Sequence, residues 1–151
     1  MSAVLANDEL LITRTFDAPI GLMFSLWSDI NHFQKWMGPE GFDCPEMEMD
    51  FRVGGKYRGM IRSKEHGDSW FGGEYREMRP GEKLAYTDKF EDPNLVGSML
   101  TTVTFKRVSV GTELSVVQEG IPSLIPEEMC YLGWQESLAQ LAKLVEPEIA
   151  D

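Results

Sequence analysis

Cysteine and histidine are scarce in this chain, with two of each in 151 residues. Cys44 and Cys130 stand far apart and form no close-spaced ligand pair, so neither a disulfide framework nor a zinc motif is indicated; reduced thiols are expected. His32 lies in a helical stretch and His66 in a turn. Neither belongs to a recognisable nucleophile motif with a nearby serine or cysteine, and both are read as surface residues. Basic residues are also in the minority. Fourteen Lys and Arg against 25 Asp and Glu leave a net charge of −11, which repels phosphate backbones and anionic surfaces and argues against nucleic acid as a partner. No apolar run approaches the length that spans a bilayer, and Met1 to Leu11 lacks a basic segment followed by an apolar stretch. No membrane insertion is expected, and the expected location is the cytoplasm. Linkers, repeats and low-complexity tracts are missing as well.

What is there matches a packed protein: 42% hydrophobic, 11% aromatic and 26% charged residues, in a length that suits one core rather than two. The expectation is a single domain over residues 1–151, with an ordered core over about residues 9–146. Glu9 to Phe16 is a β-rich run that ends at Asp17-Ala18-Pro19, where Asp can cap and Pro can open a helix. Ile20, Met23, Phe24, Trp27, Ile30 and Phe33 then recur at helical intervals as far as Trp36, and Ser28-Asp29 in the middle is suited to cap a second short helix. Gly38-Pro39 and Gly41 end this pair. Next the period becomes two, with Met47, Met49 and Phe51 alternating with Glu48, Asp50 and Arg52. Turn signals at Gly54-Gly55, Lys64 to Gly67, Arg79 to Gly81, Asp92 to Asn94 and Ser109 to Gly111 divide the rest into an antiparallel meander of six strands. Pro126-Glu127-Glu128 starts a long last helix with the stripe Trp134, Leu138, Leu141 and Val145, which Pro147 stops.

The predicted order is one strand, two short helices, six strands and one helix. A seven-stranded sheet with one apolar face needs a cover, and only the last helix is long enough to supply it. A curved sheet round one helix seldom fills completely with side chains, so an internal apolar cavity is expected.

Particular residues carry a resemblance as well. Phe16-Asp17-Ala18-Pro19, Trp36-Met37-Gly38-Pro39 and the run from Asp50 to Gly55 are followed in order by Gly73-Glu74-Tyr75, Thr102 to Phe105, Gly111 to Leu114 and Gly133-Trp134. Over about Ile12 to Val145 the chain resembles the proteins similar to the activator of heat-shock protein 90 ATPase, within the START-like, birch-pollen-allergen-like superfamily. The resemblance implies an α+β helix-grip fold, with a cavity between sheet and last helix that holds lipids, hormones or polyketides in various relatives. Many members have two adjacent tryptophans before the Gly-Pro; Trp36-Met37 here replaces a rigid flat group by a flexible apolar one. The eukaryotic co-chaperone has an additional N-terminal domain, for which a first strand near Glu9 leaves no room, so a chaperone-activating role is not the expected one.

The helical pair is expected to give the cavity Phe33, Trp36 and Met37. The sheet is expected to give Tyr57, Phe71, Tyr75, Tyr86 and Asp88, then Val103, Phe105 and Gln118, and the last helix Trp134 and Leu138. Asp88 shares strand parity with Leu84, Tyr86 and Phe90, and Gln118 with Leu114 and Val116, which points both inward as candidate ligand-orienting groups. The alternatives are a bulge that turns Asp88 outward and a Gln118 that caps backbone near the strand end. Val53-Gly54-Gly55 reads as a hairpin turn, since no Walker lysine follows it. Glu48 and Asp50 read as a solvated strand face, and Cys130 as a structural thiol. No catalytic constellation, cofactor motif or metal-ligand set is found. The reading is a binder of a small hydrophobic molecule, monomeric or homodimeric. Its alternatives are a stress-related, co-chaperone-like factor with a protein partner, and an enzyme acting on a cavity-bound apolar substrate.

Overall fold

The elements in chain order are β1 (Ser2–Ala3), β2 (Leu10–Phe16), α1 (Ile20–Ser28), α2 (Ile30–Trp36), β3 (Asp43–Met49) and β4 (Lys56–Ser63). They continue with β5 (Gly67–Arg79), β6 (Lys83–Phe90), β7 (Met99–Val108), β8 (Gly111–Glu119) and α3 (Glu127–Val145). They are taken from a computed structural model that describes residues 2–3, 9–37, 41–95 and 97–146. Gly38, Pro39 and Pro147, read above as helix-ending signals, lie outside the described residues.

The helical pair forms as its spacing dictates. Asp29 is extended (φ −101°, ψ 117°), and its carboxylate accepts the backbone N–H of Asn31 at 2.9 Å, which caps α2. The expected Asp17 cap of α1 is corrected. Pro19 is the N-cap, without a side-chain hydrogen bond, because Asp17 lies two residues upstream of the capping position. Asp17 instead gives its backbone N–H to Glu146 Oε2 at 3.1 Å, tying the approach to α1 to the end of α3. Trp36 Nε1 donates to the Leu26 carbonyl at 2.8 Å, and the Trp27 and Trp36 rings lie 4.8 Å apart, so the two helices lock through their indoles.

The strands form one antiparallel sheet in the order β1-β2-β8-β7-β6-β5-β4-β3. The meander from β3 to β8 is as expected. The two-residue β1, paired with β2 through Ser2 opposite Ile12, adds an eighth strand at the edge of the seven. β2 lies beside β8 with Ile12 opposite Val116, so the first long strand joins the last. Register shifts between Asp43 and Glu46 and between Tyr75 and Glu77 bend the sheet. Gly73 lets β5 and β6 approach closely, since a Cβ there would run into the Thr87 carbonyl oxygen.

The concave face is the core. Phe16, Met23, Leu84, Val103, Val116 and Leu141 are each 0% exposed. α3 packs on β2 and α2, while α1 packs on β7 and β8. Val53-Gly54-Gly55 is a turn between β3 and β4, with Gly54 at φ +83°, where a side chain would be strained. No described helix is long and apolar enough to cross a membrane.

Candidate functional site

A cavity of about 260 Å³ lies between the concave face and the N-terminal half of α3. Its walls come from several elements. Phe33, Trp36 and Met37 reach it from the α2 end, Tyr57 and Ile61 from β4, and Phe71 from β5. Tyr86, Asp88 and Phe90 of β6 line it through strand alternation, with Met99 of β7 and Gln118 of β8 beside them. Ile125 precedes α3, and the helix itself supplies Met129, Cys130, Gly133, Trp134 and Ser137.

Asp88 and Gln118 both border this space. The outward alternative for Asp88 does not hold, because β6 and β7 pair without a register shift from Lys83 opposite Thr104 to Asp88 opposite Met99. Nor does Gln118 cap backbone. Its Nε2 donates to Thr101 Oγ1 at 3.2 Å, and its Oε1 accepts from Trp134 Nε1 at 3.2 Å. Gln118 is 4% exposed and links the sheet floor to the helix roof.

The Tyr57 hydroxyl donates to the Thr87 carbonyl at 2.7 Å and stands 3.3 Å from Asp88 Oδ1. One proton cannot serve both acceptors well, so the shorter contact leaves the carboxylate weakly partnered. Asp88 keeps some accessible surface because it borders the cavity, yet protein surrounds it closely. Desolvation pushes its pKa up to about 6, against the opposing pull of the Tyr57 hydroxyl and the Lys89 backbone N–H. Burial, and then the Asp88 charge, raise the Tyr57 and Tyr86 phenols. Trp27 Nε1 lies 3.4 Å from the Tyr86 hydroxyl oxygen and donates to it.

Four expected lining residues lie elsewhere, and each displacement has a packing reason. Phe105 meets Phe24 at 5.4 Å and Trp27 at 5.6 Å, within an aromatic cluster under α1. Val103 is wholly buried opposite Leu84 and Val116. Tyr75 packs on Phe51 at 4.9 Å and Tyr57 at 5.4 Å, behind the Tyr57 ring. Leu138 borders a separate depression beside Ile12 and Arg14 of β2. Side chains fill the α1 end of the sheet, and the cavity survives at the other end.

Among the lining residues that were not expected, Ile61 and Phe90 share strand parity with Tyr57 and Asp88, a signal present in the sequence. Met99 shares strand parity with Val103 and Phe105 and stands opposite Asp88. Ile125 lies in a connection with no period. Met129, Cys130, Gly133 and Ser137 lie within about one and a half helical turns of Trp134, on a flank that the Trp134-Leu138 stripe does not mark. The histidines behave differently from each other. His66 is exposed and stacks on Phe42 at 5.9 Å, whereas His32 is half-buried with Nδ1 3.2 Å from Ser25 Oγ. The Cys44 thiol is buried, and desolvation pushes its pKa up to about 11. Asp50, paired with Arg52 at 2.7 Å, and Glu48 are exposed.

A wider, open depression of about 850 Å³ lies on the outer face of β4 to β6. Arg58 on its wall is already engaged, forked onto Glu91 at 2.7 and 2.9 Å and set 3.9 Å over the Trp70 ring. Charged side chains, among them Lys56, Glu74, Arg76 and Lys89, line this groove, and the predominantly apolar space under α3 is the better site.

A curved antiparallel sheet gripping a C-terminal helix, with two short helices after the first long strand, defines the helix-grip, START-like class. The chain belongs to the family described as Activator of Hsp90 ATPase homolog 1-like protein, whose model matches residues 17–146. Among solved structures it is similar to a protein of Chromobacterium violaceum at 46% identity and a TM-score of 0.90, over 95% of this chain and 100% of that one. The AHSA1 protein of Silicibacter pomeroyi shares the fold at 21% identity and a TM-score of 0.77, over 90% of this chain and 96% of that one. A protein of Nitrosomonas europaea does so at 20% identity and a TM-score of 0.81, over 93% and 96%. No curated protein matches the chain.

Proposed function

We propose that this protein binds a small hydrophobic molecule in the cavity under α3 and releases it chemically unchanged. The observation that supports this reading is an apolar, aromatic-lined space of about 260 Å³ in an otherwise packed core. Well-packed interiors keep few voids larger than a water molecule. A concave apolar surface of this size offers dispersion contacts that a small apolar molecule of matching shape takes up. Asp88, Gln118 and the indole of Trp134 are the polar groups that would orient such a molecule.

Native mass spectrometry of freshly purified protein, followed by solvent extraction, tests the proposal. A stoichiometric apolar adduct is the expected result. A bare protein whose interior takes up no hydrophobic fluorescent probe would overturn it.

A further inference from the structure

The charge inside the cavity narrows the class of molecule it takes. Among the described lining residues there is one carboxylate, Asp88, and no Lys, Arg or His. Asp88 sits among rings. Tyr86 and Phe90 flank it on the same strand face, Tyr57 reaches to 3.3 Å from its Oδ1, and Phe71 lies opposite Phe90 on β5. Aromatic faces carry partial negative charge and attract a cation placed over them, most strongly where water is excluded. The other polar groups are largely committed. Gln118 is held by Thr101 and Trp134, and the Tyr57 proton goes to Thr87. The carboxylate is therefore the group with most bonding capacity left.

From this arrangement we infer that the cavity is selective for a lipophilic amine, whose ammonium group meets Asp88 within the Tyr57, Tyr86 and Phe90 rings while its apolar body fills the space under Trp134. The inference rests on the cavity-binding reading above and specifies its ligand. Its corollary is exclusion. A fatty acid or other carboxylate would place a second negative charge beside Asp88 between aromatic walls, with no basic side chain among the described lining residues to offset it. The raised pKa of Asp88 agrees with this picture, since about 6 leaves the group mainly ionised at neutral pH and short of a cationic partner. The net charge of −11 adds a field that draws cations towards the protein. In size, the cavity exceeds the roughly 150 Å³ that accepts a benzene ring, so a fused two-ring amine is a fitting probe.

The test titrates the full chain at neutral pH with three isosteres, naphthylmethylamine, naphthylmethanol and naphthoic acid, by calorimetry. The amine is expected to bind about tenfold more tightly than the alcohol, the usual margin of a charge-assisted over a neutral hydrogen bond, and the acid more weakly than both. In Asp88→Asn the amine is expected to lose that margin while the alcohol is unchanged. The isostere series on the unmutated chain stands even if the variant fails to fold. If alcohol and amine bind equally, or the acid binds best, the amine inference is overturned and the cavity reading survives. If none of the three binds and none raises the melting temperature, the cavity reading itself falls.

Discussion

Asp88 sets function against stability at a single side chain. Its carboxyl titrates near 3.8 when unfolded and about 6 when folded, so the folded state holds the proton more tightly. The contribution of Asp88 to stability is then most favourable below about pH 4, declines as pH rises from there through 6, and becomes a cost on the order of 3 kcal/mol at neutrality. Its titratable neighbours Tyr57 and Tyr86 are both shifted upward and stay neutral across this range. Asp88→Asn should therefore raise the melting temperature at pH 7 and leave it nearly unchanged at pH 4, measured by thermal melts at the two values. A gain of equal size at both would show that charge is not the cause. Trp134 makes the opposite case. Its ring roofs the cavity, and its Nε1 holds Gln118, so Trp134→Ala should cost about 2 kcal/mol in denaturant melts and weaken probe binding together. His66→Ala, exposed in a turn, should stay within about 0.5 kcal/mol and leave binding alone. Equal effects from the two substitutions would count against the site.

The secondary structure was largely readable from the sequence, and the reasons are local. Asp29 announces its helix because a short carboxylate reaches the free N–H groups of the next turn, and glycine and proline mark most hairpins because few other residues adopt those backbone angles. What alternation cannot tell is which end of a face stays empty. Val103 and Phe105 obey the same parity as Met99, yet the bulk of Phe24 and Trp27 fills their end of the sheet and only Met99 meets open space. Gly133 is the clearest element-level clue, and it is a residue that packs nothing. Glycine inside a helix costs about 1 kcal/mol relative to alanine, yet here it faces the cavity, where an added Cβ would meet nothing within 4 Å. Gly133→Ala should thus raise stability by up to about 1 kcal/mol in chemical denaturation while weakening probe binding through lost volume. Stronger binding would mean that the helix was too loose and that volume was not limiting.

Across the molecule, charge opposes compaction. With a net charge of −11, self-repulsion destabilises the folded chain at low ionic strength. The ion pairs that salt would weaken, among them Arg52 with Asp50, Arg58 with Glu91 and Arg62 with Asp68, are solvent-exposed and contribute little. Raising salt from a few millimolar to physiological strength should therefore raise the melting temperature, since screening relieves the excess of like charge. A fall would mean that the exposed pairs outweigh the repulsion.

The pairing of β2 with β8, Leu10 opposite Gln118, also dictates an order of events during synthesis on the ribosome. β2 emerges early and has no long neighbour until β8 appears, so its apolar face waits while the intervening hairpins are made. α3 follows β8 in turn, and the roof residue Trp134 comes with it. The space therefore gains its roof only after the whole sheet has been made. A nascent chain that has not yet exposed α3 has no roof over that space, so loading waits for the last helix.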